Sequence, residues 1–156
     1  MRPSKDEYYL KIAEAIAVRS TCIKHKYGAV IINNDIIIAT GYNGSPRGEV
    51  NCCDVNICFC DECLLPQDEK AAVHGAQYGS CVAVHAEANA IMAASHKDLQ
   101  GATLYLACLT LDRNVAPCNY CDRLIKNAGI EKVFTIHELP GAKPLDKVIS
   151  KDCCCS

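Results

Sequence analysis

A chain of 156 residues, half of them hydrophobic, has the size of one domain, long enough to bury roughly 70% of the surface its unfolded form exposes. Its 16 basic and 18 acidic residues leave a formal net charge of -2 with the signs mixed along the chain. That distribution offers no broad basic face to a nucleic-acid backbone, and an anionic small molecule would need only a local basic cluster.

The segment Met1-Arg2-Pro3-Ser4-Lys5-Asp6-Glu7 turns charged at once and has no apolar run of the kind a signal peptide requires. Nothing further along approaches the length of an apolar membrane span. Thirteen cysteines are an odd and high count. In a small secreted chain they would suggest a disulfide framework, but this chain has core enough without one. Reduced thiolates binding metal in the cytosol are the expectation.

Ser4 with Glu7 reads as a capping box. Tyr9, Ile12, Ala13, Ile16 and Ala17 then recur at helical spacing, which predicts an amphipathic helix ending near Arg19. Gly28 to Ile32 and Ile36 to Thr40 are β-branched apolar runs separated by Asn33-Asn34-Asp35, a tight hairpin turn. Both runs are continuous in hydrophobicity, so the expectation is that both faces are covered. From Gly41 to about Tyr78 the chain is rich in Gly, Cys, Asn and Asp without periodicity, a long loop in want of a staple such as metal.

Ala86 to Ser95 is apolar on nearly every side and predicts a helix buried in the core. Thr103 to Cys108 predicts a central strand. Cys121, Leu124, Ile125 and Ala128 mark one face of a further helix stopped by Gly129, and Lys132 to His137 predicts a last strand. Strands alternating with helices argue for an α/β layer architecture with part of the sheet parallel. Residues 1–150 read as one domain carrying a Cys-rich loop insert over 41–80. Residues 151–156 read as a disordered Cys-rich tail whose Cys153-Cys154-Cys155-Ser156 lacks the aliphatic middle of a prenylation box.

The chemistry sits in two short motifs, His85-Ala86-Glu87 and Pro117-Cys118-Asn119-Tyr120-Cys121. Cys118 and Cys121, three apart at a helix start, present both sulfurs on one side, where unpaired N–H groups favour thiolates. With His85 they make three protein ligands and leave a tetrahedral zinc one open position, as in catalytic sites. Water there can have its pKa lowered to about 7. Glu87, two residues past His85, can reach that water and a substrate without ligating the metal. The alternative readings are a purely structural zinc, an inert buried cysteine pair, and a Glu87 that serves only the helix dipole. In order, the two motifs match the signature of zinc-dependent nucleobase deaminases. That match implies attack of zinc-activated water on C4 of a cytosine-like ring, while Glu87 moves a proton to N3 and then to the departing amine.

Four further stretches, Arg19-Ser20-Thr21-Cys22, Gly28-Ala29-Val30-Ile31, Gly41-Tyr42-Asn43-Gly44-Ser45-Pro46-Arg47-Gly48 and His85-Ala86-Glu87-Ala88-Asn89-Ala90-Ile91, closely resemble the deoxycytidylate (dCMP) deaminase family. The resemblance runs from about Leu10 to Phe134. It implies a three-layer α/β/α cytidine deaminase-like fold with a mixed sheet of about five strands. It also implies hydrolytic deamination of dCMP to dUMP, a homo-oligomer, and control by dCTP and dTTP. Asn43, together with Arg19, Arg47 and Ala86, would contact the nucleotide. The plain alternatives are an ordinary turn for Asn43 and its glycines, and solvated surface charges for the two arginines.

The sequence departs from the family in places. Leu109 to Ala116 reads as an insertion before Pro117, Asp122 stands where a small residue is common, and Tyr27 replaces an aliphatic. Some members carry a second, structural zinc, for which Cys22, Cys52, Cys53 and His74 are candidate ligands, with Cys81 for the fourth position. Cys58, Cys60 and Cys63 could instead close a site with Cys52 or Cys53. Two other functions stay open: deamination of another amino-heterocycle, motivated by the insertion, and a non-catalytic zinc module binding single-stranded nucleic acid or a protein. An intact Glu87, the mixed charge and an aromatic content of 6% argue against the module.

Overall fold

The computed structural model describes residues 2–59, 81–110 and 115–135. Helix α1 (Lys5–Ala17) opens with the expected capping box: the Ser4 hydroxyl accepts from Glu7 N at 3.2 Å, and the Glu7 carboxylate accepts from Ser4 N at 2.7 Å. Two orphan donors of the first turn are thereby satisfied. Tyr9, Leu10, Ala13 and Ala17 form the buried stripe, and the helix stops two residues before Arg19.

Strands β1 (Tyr27–Asn33) and β2 (Ile36–Tyr42) pair antiparallel, with Asn33 opposite Ile36. The two residues between them, Asn34 and Asp35, have φ of 49° and 66°. Positive φ at both central positions matches the twist of the flanking strands, and Asn and Asp tolerate it better than most residues. β1 is buried on both faces, as its sequence suggests. β2 is not: Ile36, Ile37, Thr40 and Tyr42 are exposed. β2 is the sheet edge, and the helices cover only part of it, so a continuous apolar run here does not mean two covered faces.

The sheet order is β2-β1-β3-β4, with β3 (Thr103–Cys108) antiparallel to β1 and β4 (Lys132–Thr135) parallel to β3. The described residues thus hold four strands, one fewer than the five the resemblance implies. The far end of the strand expected over 132–137 lies outside the described residues, as does the tail 151–156. The parallel pair is joined through a helix, the crossover that such pairs require.

On one face of the sheet, α1 packs over Val30, Ile32, Tyr105 and Ala107. On the other, Ala29, Ile31, Leu104 and Leu106 pack against α3 (Ala86–Ala93) and α5 (Asn119–Asn127). This is a three-layer arrangement. The helices approach closely because β1 and β2 each place a glycine beneath one. A Cβ at Gly28 would stand 2.1 Å from Ala13 O, and one at Gly41 would stand 2.3 Å from Ala86 O and 2.4 Å from Ala90 N.

α3 also differs from its sequence reading. It ends at Ala93, and while Ala86, Glu87, Ala88 and Ala90 are buried, Met92 and Ala93 are exposed. Its start is buried against the sheet and α5, whereas its last turn reaches solvent. Ser95 caps a single turn, α4 (His96–Leu99), and α2 (Cys52–Val55) is a single turn inside the stretch read as loop. α5 stops at Asn127, ahead of Gly129 as expected.

Candidate metal centre

Two helix N-termini converge on one place. His85 is the N-cap of α3, and Cys118 is the N-cap of α5 with Cys121 in its first turn. Cys118 is therefore extended, with φ −66° and ψ 164°, instead of helical. Its sulfur accepts from Cys121 N at 3.4 Å, so it caps the helix while staying on the same side as the second sulfur. The positive ends of both helices face these groups and favour negative charge on them.

The three ligand atoms lie within 4.8 Å of one another, and among the described residues they are the group of three able to hold a metal ion. His85 Nδ1 stands 3.5 Å from Cys118 Sγ and 3.4 Å from Cys121 Sγ. A tetrahedral zinc with Zn–N of about 2.0–2.1 Å and Zn–S of about 2.3 Å has N···S edges of roughly 3.6 Å. The donor set and its spacing fit zinc.

Glu87 is buried beside them at 4% exposure. Burial pushes its carboxyl pKa above the usual range, opposed by the nearby His85 and by a backbone hydrogen bond. The thiols split: hydrogen bonds from Cys121 and then His85 draw Cys118 down to about 4, against the pull of burial. Cys121 goes up, because its proton is held between the two sulfurs.

The loop after β2 is tied to this centre by backbone. Gly44 N donates to Val84 O at 3.1 Å, Val84 N donates back to Gly44 O at 2.8 Å, and the Asn89 side chain donates to Tyr42 O at 2.8 Å. Between them Asn43 is fully buried, and its amide bonds to Ser20, Tyr27 and His25. Ala86 is buried as well, whereas Arg19 and Arg47 are exposed. Ser20 and Asn89 both lie in stretches whose family pattern was legible, yet neither carried a role in the sequence. Only their partners, far along the chain, reveal one.

Of the candidates for a second zinc, Cys22 and Cys52 are buried and Cys53 is exposed. The bond from Cys53 N to Thr21 O, 3.1 Å, brings the two segments together. His74, Cys60 and Cys63 lie outside the described residues, and among the described residues no second group of three ligands forms. The departures from the family pattern find places. Tyr27 is core, Asp122 pairs with Lys126 at 2.6 Å on the exposed face of α5, and Val115, from the apparent insertion, is buried at 2% exposure. Residues 111–114 of that insertion lie outside the described residues. No helix among the described residues is long and apolar enough to cross a membrane.

Residues 3–137 match the family model described as the cytidine and deoxycytidylate deaminase zinc-binding region. The chain is 42% identical over 137 residues to the deoxycytidylate deaminase of Mycobacterium phage D29, covering 85% of this chain and 94% of that protein. It is 36% identical over 132 residues to the deoxycytidylate deaminase of Schizosaccharomyces pombe, covering 85% of this chain but only 37% of that longer protein. Among solved structures it resembles the apo dCMP deaminase of cyanophage S-TIM5, with TM-score 0.59 and 29% identity over 86% of this chain and 84% of that one. The phage enzyme has also been solved in complex with dCMP and dUMP, with the same similarity to this chain.

Proposed function

Since the chain belongs to the cytidine and deoxycytidylate deaminase zinc-binding family, we propose that it hydrolyses dCMP to dUMP and ammonia. The observation that carries this reading is a buried carboxyl, Glu87, set beside a His/Cys/Cys group whose donor spacing fits a tetrahedral zinc with three protein ligands.

His85, Cys118 and Cys121 would hold the zinc, which when bound supplies an activated water at neutral pH. Glu87 does the proton work. Burial raises its carboxyl pKa above the usual range. It takes a proton from the attacking water and passes it to N3 of the ring, then carries the water's second proton to the departing amine as the C4–N bond breaks. The family resemblance sets Asn43 and Ala86 against the nucleotide, although both are fully buried here, whereas Arg19 and Arg47, both exposed, are available to its phosphate.

A homo-oligomer rests on the family resemblance alone. A cytoplasmic location accords with a zinc centre that needs Cys118 and Cys121 as reduced thiolates. Control by dCTP and dTTP and a second zinc at Cys22, Cys52, Cys53 and His74 rest on the family resemblance alone. One domain over residues 1–150 accords with the single sheet among the described residues.

The test is ammonia release from a panel of cytosine, adenine and guanine bases, nucleosides and nucleotides, with dCMP expected to be turned over fastest. A preference for another amino-heterocycle would replace the substrate and leave the chemistry. Glu87→Gln should keep the zinc and lower kcat by roughly 100-fold or more; an unchanged rate would remove Glu87 from the mechanism.

A further inference from the structure

The stretch between β3 and Cys118 is held at its two ends in different ways. At its start, Leu109 N donates to Lys26 O at 3.0 Å and Lys26 N donates to Thr110 Oγ1 at 3.3 Å, one step beyond the Tyr27 and Cys108 pair that closes the β1–β3 ladder. At its other end Val115 is buried at 2% exposure. Among the described residues no hydrogen bond involves Val115, Ala116 or Pro117, and a proline has no N–H to offer. The packing of one side chain therefore sets the path by which the backbone reaches Cys118.

That side chain belongs to the buried cluster that also seats the rest of the metal centre. The cluster contains Ala86, next to His85, and Ile125, one turn after Cys121. Cys118 follows Val115 by three residues, is extended at φ −66° and ψ 164°, and holds its sulfur 3.5 Å from His85 Nδ1. An extended backbone without hydrogen bonds is the softest wall of such a cluster, because a strand or helix that shifted would break its own ladder. When a buried side chain shrinks, its surroundings relax partly into the space, and the softest wall moves first.

We propose that Val115 is a positioning residue for the metal centre: its burial fixes the approach to Cys118, and with it the separation of the Cys118 thiolate from the His85 ring. The segment that departs from the family pattern then ends in a strut that aims a metal ligand. This rests on the reading of His85, Cys118 and Cys121 as the zinc ligands.

The experiment compares Val115→Ala with Val30→Ala in the full chain, reading zinc affinity by chelator competition, the absorption spectrum of the cobalt-substituted protein, and melting temperature. Val30 is the control because it loses the same two methyl groups from a fully buried position on the opposite face of the sheet, in a strand with ladder partners on both sides. Both variants should melt earlier than the wild type. Val115→Ala should also weaken zinc binding about tenfold and shift the thiolate-to-cobalt absorption, as changes behind a ligand do, whereas Val30→Ala should leave both unchanged. Val115→Thr keeps the branched shape but buries a hydroxyl, so it should lose stability and keep the wild-type zinc affinity and spectrum. If Val115→Ala does not fold, Val115→Ile and Val30→Ile take the places of the alanine pair, since overpacking displaces the same soft wall, and they are read by the same criteria. An equal loss of zinc affinity at the two positions overturns the proposal, as does a Val115→Thr protein that binds zinc as weakly as Val115→Ala. A wild-type protein whose cobalt form shows no thiolate absorption overturns the reading of the ligands beneath it, and the proposal with it.

Discussion

Gly41→Ala should damage catalysis more than stability, because Gly41 lies beneath the helix that carries His85 and Glu87. The added Cβ would stand 2.3 Å from Ala86 O and 2.4 Å from Ala90 N, where ordinary contact begins near 3.4 Å. Both neighbours are backbone of α3 and no rotamer change can relieve them, so the helix must move off the sheet by about 1 Å. Overpacking of this kind costs about 1–3 kcal/mol, which for a chain of this length lowers the melting temperature by roughly 2–12 °C. A displacement of about 1 Å at reacting groups can cost on the order of 100-fold in rate. It also pulls the His85 nitrogen away from the two sulfurs, 3.4 and 3.5 Å distant. Gly28→Ala is the control. Its Cβ would meet α1 equally closely, at 2.1 Å from Ala13 O and 2.5 Å from Ala17 N, but on the opposite face of the sheet. Gly28→Ala should therefore lose stability and keep its turnover per folded molecule, whereas Gly41→Ala should lose kcat/KM and zinc affinity well below its melting temperature. Equal turnover in the two variants would refute the claim that the glycine under α3 sets the site.

Other outcomes follow from particular contacts. Cys121→Ser should abolish tight zinc binding, measured by competition with a chromogenic chelator, because the buried hydroxyl is a far poorer soft ligand than a thiolate. Leu106→Ala, at a fully buried position in the middle of β3, should cost about 2–5 kcal/mol in denaturant unfolding with an unchanged m-value. Tyr9 donates to Asp35 at 2.8 Å, and that hydrogen bond, with burial, pushes its phenol up to about 12. A raised folded-state pKa favours the neutral form, so this stabilisation is fully present below the ordinary value of 10.0 and is lost as pH rises through about 12. Ultraviolet titration should find one fewer late-ionising phenol in Tyr9→Phe, together with a smaller loss of stability on the alkaline side.

Much of the site was legible because its information is local. The His85 and Glu87 spacing, the Pro117-Cys118 to Cys121 run and the Ser4 and Glu7 capping box each act within one helical turn, where backbone geometry fixes what neighbours can do. Burial was less legible. The runs at Ile36 to Thr40 and Ala86 to Ser95 are apolar whether or not something covers them, and it is the edge position of β2 and the uncovered last turn of α3 that leave Ile36 and Met92 in solvent.

By itself the sequence determined the zinc ligands as a candidate set, the candidate proton-carrying carboxylate beside them, and the α/β character of the fold, since ligand chemistry and hydrophobic period are properties of residue type and short spacing. Only the tertiary structure decided that two helix N-termini meet, since His85 and Cys118 lie 33 residues apart and their 3.5 Å separation depends on strands packed between α1 and α3. It alone placed Ser20 on Asn43, 23 residues away, because a hydroxyl finds its acceptor through folding and no local pattern names the partner.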